Sequence, residues 1–401
     1  MPILGGIMLT MVIGTFYAIS VFMLPLEKAF GWTRVQTSWV STISVVMIVS
    51  AWIIGGRVYD RKGPRIVAYV GGTLFSLAYL LTSHIHSLLG LYFAMGVCAG
   101  IGNGCCNVVA VSVAAKWFPD KRGLIVGLMV GSFGAGSGVF GPLASFLIER
   151  VGWRDTFEIL GVIFFAMTMV AGLLVSNPPD GWRPIGWHSN SRSTSIACDV
   201  PPSEMVRSRT FQALWLAYCL GTTAGIMVIS QLVPFARSAG HSAAVAAFAL
   251  PVGALGNTSG RIFSGWMSDR VGRISTLKVV LTVSAVAMPL LYVCRGNVTA
   301  FYALLWVVYY CYGTQLSVYA STSADLYGTK YIGVNYGLLF AAFGVAGVFG
   351  PFLGGGVYVA TGEYRLAFFI AAAIELVALA ILAFASIPQA RHNLGPVPSN
   401  T

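Results

Sequence analysis

Charge is what this chain has least of, and negative charge above all. Of 401 residues only 13 are Asp or Glu, against 24 Lys and Arg, and charged residues together make up 9%. Soluble domains carry roughly 25%, so this composition cannot build a water-facing surface. Cysteine is sparse as well. Six of the seven (Cys98, Cys105, Cys106, Cys219, Cys294 and Cys311) fall in or beside apolar runs, with no metal-ligand spacing and no disulfide framework, and read as small packing residues. No His/Asp/Glu cluster or nucleophile constellation lies at membrane depth, which excludes an integral membrane enzyme, and no metal or cofactor is expected. The tails are too short for the soluble output domain of a sensor.

Apolar surface is what the chain has instead. Hydrophobic residues fill 57% of positions, in continuous runs of about 20 residues that suit membrane-spanning helices. Short alternating segments, the mark of a β-barrel, are missing. The fold class is therefore all-α integral membrane, with the lipid bilayer as solvent. A net charge of +11 invites a nucleic-acid partner, but the basic residues sit in short loops between apolar runs, as the positive-inside rule requires. No nucleic acid is expected.

Twelve spans are predicted, at 3–25, 38–58, 66–84, 88–115, 123–148, 156–176, 210–236, 242–267, 275–294, 298–324, 332–360 and 365–387. The first starts without a basic region or a small-residue cleavage site and is expected to be a retained helix. One long connection, rich in Pro, Ser and Asn, divides the chain into a first six-helix half (1–176), a central loop (177–209), a second six-helix half (210–387) and a tail (388–401). With the termini and central loop on one side, the opposite loops hold only Lys28, Arg34, Arg150, Arg154, Arg237, Arg295 and Arg365. The basic side is cytoplasmic by the same rule, in the plasma membrane (the inner membrane of the cell).

An internal repeat fixes the architecture. Gly56, Asp60, Arg61 and Gly63 follow the second span, and Gly265, Asp269, Arg270 and Gly272 follow the eighth, each 209 residues later. The same offset carries Phe140-Gly141-Pro142 onto Phe349-Gly350-Pro351. Two motifs sharing one offset point to parallel six-helix repeats, which place a substrate site at the midplane between them.

Arg261 stands in an otherwise uncharged run from His241 to Trp266. A guanidinium keeps its proton, so inside a bilayer it needs an anion or water. Its own helix supplies no acidic residue at that depth, and an anionic substrate is the expected partner. Helix carbonyls or snorkelling to the interface are the structural alternative. Asn257 lies one turn away on the same face. Glu375 is the sole acidic residue near a membrane centre and reads either as a proton relay or as a polar-bonded residue on a peripheral helix.

The stretch GGRVYDRKGPR (Gly55 to Arg65) and its echo SGWMSDRVGR (Ser264 to Arg273) resemble the signature loop of the major facilitator superfamily. The resemblance implies a gating role for Asp60, Arg61, Asp269 and Arg270. KWFPDKRGLIVGLMVGSFGAGSG (Lys116 to Gly138), FGWTRVQTSWVSTIS (Phe30 to Ser44), SEMVRSRTFQALWLAY (Ser203 to Tyr218) and VNYGLLFAAFG (Val334 to Gly344) are similar to the monocarboxylate transporter and oxalate/formate antiporter branch. That branch carries a carboxylate-binding arginine on the eighth helix, which Arg261 matches. Animal monocarboxylate transporters place a proton-coupling aspartate where this chain has Asn257. Oxalate exchangers place a lysine for a second carboxylate where it has Phe343. The resemblance further implies Tyr312, Asn107, Gln231 and Tyr17 as pocket residues, each equally able to bond between helices. It also puts the twelfth helix, with Glu375, outside the pore.

One fixed positive charge suits one carboxylate held bidentately. The expected function is a secondary transporter of a small monocarboxylate such as lactate, pyruvate, formate or acetate, by alternating access. Inside-negative potential opposes anion entry by about 2.3 kcal/mol per 100 mV, so a proton is expected to accompany the anion, at the Arg261 site or on the acid itself. Exchange of one carboxylate for another is the alternative, and a polyspecific efflux pump of the same fold a further one.

Overall fold

The computed structural model of the chain describes residues 1–179, 182 and 199–385, the side chains of Tyr17, Ser20, Ala243 and Ala247 aside. Every regular element among the described residues is helical. In chain order they are α1 (Pro2–Gly14), α2 (Ser20–Phe30), α3 (Arg34–Lys62), α4 (Pro64–Ser83), α5 (Leu88–Trp117), α6 (Arg122–Leu174), α7 (Pro202–Arg207), α8 (Arg209–Ile229), α9 (Leu232–Ser238), α10 (Ala243–Val271), α11 (Arg273–Val293), α12 (Val298–Tyr327), α13 (Ile332–Thr361) and α14 (Arg365–Phe384). The tail 388–401 and most of the central stretch 177–209 lie outside the described residues.

Eight of these helices are both long and apolar enough to cross a membrane. Twelve crossings follow when three further features are counted. The 53-residue α6 is two helices joined at Gly152, whose φ of 83° only glycine adopts easily. α1 and α2 form one crossing, joined by a 3₁₀ turn at Thr15–Ile19. α10 and α12, 29 and 30 residues long, are also long enough to cross, and they carry polar residues of the interior.

The structure corrects two spans that the apolar pattern reads as continuous. The first is interrupted at Thr15–Ile19, where Gly14 meets the Phe133 backbone so closely that any Cβ would collide with its carbonyl. The seventh ends at Ile229 and resumes at Leu232. The first break stays apolar and hydropathy does not register it; the second is made of two polar residues, Ser230 and Gln231, inside an otherwise apolar run.

Paired glycines turn the chain at the basic end. Gly63 (φ 82°) and Gly272 (φ 100°) both end one helix and begin the next, at the two equivalent places in the repeated motif. Thr33 and Gln36 form a capping box at the start of α3. Nearby, the Thr37 hydroxyl and then Arg34 hold the Glu27 carboxyl below its usual range, tying the end of α2 to α3 at the opposite end of the bundle.

Helices from before and after the central stretch pack α10 on α6 and α13 on α3. Close approach is possible because the facing residues are glycines. A Cβ built on Gly56 would lie 2.4 Å from the Gly333 backbone, and one on Gly123 would lie 2.2 Å from the Gly265 oxygen.

Candidate functional site

At Gly127 a Cβ would lie 2.2 Å from the Arg261 carbonyl oxygen, so α6 and α10 touch backbone to backbone beside the arginine. This contact lets the Arg261 side chain cross from α10 to α6. Its Nη1 donates to the Val130 carbonyl at 2.6 Å and its Nε to Asn257 Oδ1 at 2.9 Å. Arg261 is 2% exposed and forms no ion pair among the described residues. Among the described residues, Val130 and Asn257 are the acceptors for its N–H groups.

Arg261 opens into a cavity of about 240 Å³. One wall is aromatic. Trp52 meets Tyr336 edge-on at 4.9 Å and stacks on Phe340 at 5.0 Å, and Phe340 stacks on Phe343 at 4.9 Å. Phe16, Val45, Ile48, Val111, Phe133 and Ile226 extend the apolar lining. Polar groups are few: Asn103, Asn107, Ser230, Tyr312 and Tyr336. The Trp52 Nε1 and Asn103 Oδ1 atoms are buried without a hydrogen-bond partner among the described residues. Such a surface suits an organic ion with one charged end.

The residues expected from sequence fall in different places. Arg261, Tyr312, Asn107 and Phe343 line the cavity together. Asn257 acts through Arg261, its carbonyl holding the guanidinium and its body packed on Gly313. Gln231 is not brought to the cavity. It stands where the seventh span breaks, its side chain against Gly354 and Gly355 of α13, and Ser230 and Ile229 occupy the lining instead. The Tyr17 side chain lies outside the described residues. Glu375 is fully buried on α14, away from the cavity, and accepts from Ser284 Oγ at 2.8 Å.

At the basic end two aspartates cap helices across the bundle. Asp60, ending α3, accepts from the Gly333 and Val334 amides at 3.1 and 3.2 Å, at the start of α13. Asp269, ending α10, accepts from the Gly123 and Leu124 amides at 2.8 and 2.9 Å, at the start of α6. In each case a carboxylate satisfies the orphan N–H groups and positive dipole end of a helix in the other part of the bundle. Their neighbouring arginines do something else: Arg61 is exposed, and Arg270 is exposed and lies over the Trp266 ring at 4.0 Å.

The arginines that do engage are Arg273, paired with Asp269 at 2.6 Å and Asp325 at 2.8 Å, and Arg122, paired with Asp325. Sequence analysis gave Arg122, Arg273 and Asp325 no role of their own. The repeat offset held a signal, since it pairs Asp325 with Lys116, which stands near Asp60 and over the Tyr59 ring at 4.8 Å.

Comparison with known proteins agrees with this geometry. The model of the Major Facilitator Superfamily matches residues 6–334. The oxalate:formate antiporter of Oxalobacter formigenes is 29% identical over 385 residues, covering 95% of this chain and 90% of that protein. Monocarboxylate transporter 13 of Rattus norvegicus is 27% identical, covering 93% and 85%. Among solved structures, the E. coli fucose:proton symporter superposes with a TM-score of 0.73 at 17% identity, covering 95% of this chain and 97% of that one. A twelve-helix bundle with glycine-paired helices, capping aspartates and a central arginine-bearing cavity, matched by this family over most of its length, is a multi-pass membrane transporter of the Major Facilitator Superfamily.

Proposed function

We propose that this chain is a secondary transporter of a small monocarboxylate, of the size of lactate, pyruvate, formate or acetate, working by alternating access. One observation carries the reading. Arg261 is a cation in a largely apolar cavity, and no described carboxylate neutralises it. A carboxylate would take the Nη1/Nη2 edge, with Trp52 Nε1 and the Asn103–Asn107 pair within the same cavity for a second polar contact. The names of the relatives support the substrate class. Phe343 in place of a second cation supports one carboxylate over two.

The halves 1–176 and 210–387 would rock about this site. Asp60 and Asp269 act as latches, made and broken in each cycle against the starts of α13 and α6. With the basic end in the cytoplasm of a plasma-membrane protein, the latched arrangement faces outward. A proton accompanies the anion in the simplest electrical scheme. Exchange of carboxylates is the second reading, favoured by Asn257, an amide, beside the arginine and by the name of the Oxalobacter relative.

The test is counterflow of labelled lactate, pyruvate, formate and acetate in proteoliposomes. Saturable, Arg261-dependent exchange of at least one supports the proposal. Transport of unrelated bulky apolar compounds that survives loss of Arg261 refutes it in favour of an efflux pump.

A further inference from the structure

The cavity at Arg261 is larger and more apolar than acetate or lactate needs. Its volume is about 240 Å³, whereas a dry protein cavity of about 150 Å³ already holds benzene. A benzene ring therefore fits with about 90 Å³ to spare, the share of about three water molecules, which is room for a short arm ending in a carboxylate. The apolar lining comes from both parts of the bundle. Trp52 of α3 stacks on Phe340 of α13, and Phe343 continues the stack. Trp52 and Phe340 are buried and back this wall, while Phe343 and Phe16 are only partly buried and line the space. Gly347, one turn past Phe343 on α13, lines it without a side chain and leaves room beside the Phe343 ring. The Tyr336 hydroxyl donates to the Leu316 carbonyl at 3.2 Å, so what Tyr336 adds to the wall is its ring. Aromatic side chains that served only to join α3 to α13 would close on one another. Here they border an open space that also holds the arginine. A small hydrated anion would leave most of this apolar surface against water, the unfavourable arrangement. A substrate with an apolar tail would displace that water while its carboxylate stays on Arg261.

We propose that the preferred substrates are monocarboxylates with an aryl ring, or a branched alkyl tail of similar size, the carboxylate resting on Arg261 and the tail against Phe343, Phe340 and Trp52. Acetate, lactate and their like are weaker substrates of the same site. The proposal rests on the carboxylate reading above and names the rest of the molecule. Each methylene that leaves water for an apolar wall strengthens binding about fourfold, so a whole ring gives at least tenfold over acetate. Because the wall is built from α3 and α13, the tail touches both halves that would rock about the site, and it is held by the same surfaces that must separate for it to leave.

The test is equilibrium binding of radiolabelled phenylacetate to the full-length, detergent-solubilised protein, displaced by unlabelled phenylacetate, lactate, acetate and the uncharged phenylacetamide. Counterflow of labelled phenylacetate, lactate and acetate in proteoliposomes follows, with protein-free vesicles subtracted. Saturable binding is expected, with phenylacetate displacing at least tenfold better than lactate, acetate or phenylacetamide, and with protein-dependent counterflow of phenylacetate. Phe343→Ala removes the partly open end of the wall and should weaken phenylacetate at least fivefold more than acetate in the same displacement series. No saturable binding of phenylacetate, displacement by lactate or acetate as good as its own, binding without counterflow, or an unchanged ratio in Phe343→Ala each overturns the proposal. Arg261-dependent counterflow of lactate or acetate would in those cases leave the carboxylate reading intact. Phenylacetamide displacing as well as phenylacetate, or no counterflow of any of the three carboxylates, removes the carboxylate reading and this one with it.

Discussion

Replacing Arg261 by lysine keeps the charge and tests the geometry. The guanidinium donates Nε to Asn257 and Nη1 to Val130 and lines the cavity, and in the proposed role its Nη1/Nη2 edge takes the carboxylate. Lysine has one nitrogen on a flexible stem, so it cannot hold α6, keep Asn257 and grip both oxygens of a carboxylate. Losing one of two charge-assisted hydrogen bonds costs about 1.5–3 kcal/mol, or about 10- to 150-fold in affinity. The assay is substrate concentration dependence of counterflow, paired with thermal unfolding of the detergent-solubilised protein without substrate. The KM should rise by that factor. A near-parental KM accompanied by a lower Tm would show that Arg261 serves only to join α10 to α6, and would refute its role as the substrate ligand.

The other predictions concern latches and selectivity. Asp60→Asn and Asp269→Asn leave neutral caps on the starts of α13 and α6, so each should slow turnover severalfold with little change in KM; a large KM effect at unchanged turnover would contradict the latch assignment. Gly56→Leu places a side chain where a Cβ already comes within 2.4 Å of Gly333. It should part the basic end, seen as increased labelling there of a cysteine introduced at Gly333 in the same protein, and unchanged labelling would count against the close approach. Phe343→Lys adds a second cation to the cavity wall and should let oxalate compete at least tenfold better than in the parent, with no gain refuting the placement of Phe343 beside the bound anion.

Much of this protein was legible as a string. Low charge, long apolar runs and the 209-residue offset determine a twelve-helix membrane bundle with an internal repeat, because hydrophobic length and loop charge are properties of segments. Arg261 was legible for the same reason: a permanent charge in an apolar run is conspicuous without knowing its neighbours. Partnership was not legible. Gln231 is displaced by a two-residue break in the seventh span, too short to end an apolar run, and Arg122, Arg273 and Asp325 look like ordinary loop charges until folding brings three helices together. Asp60 and Asp269 were visible as motif residues, but their targets are backbone amides of remote helices, and amides carry no sequence signature. Local pattern dictates which residues a helix turns inward, and only the packing of helices decides which of those inward residues meet.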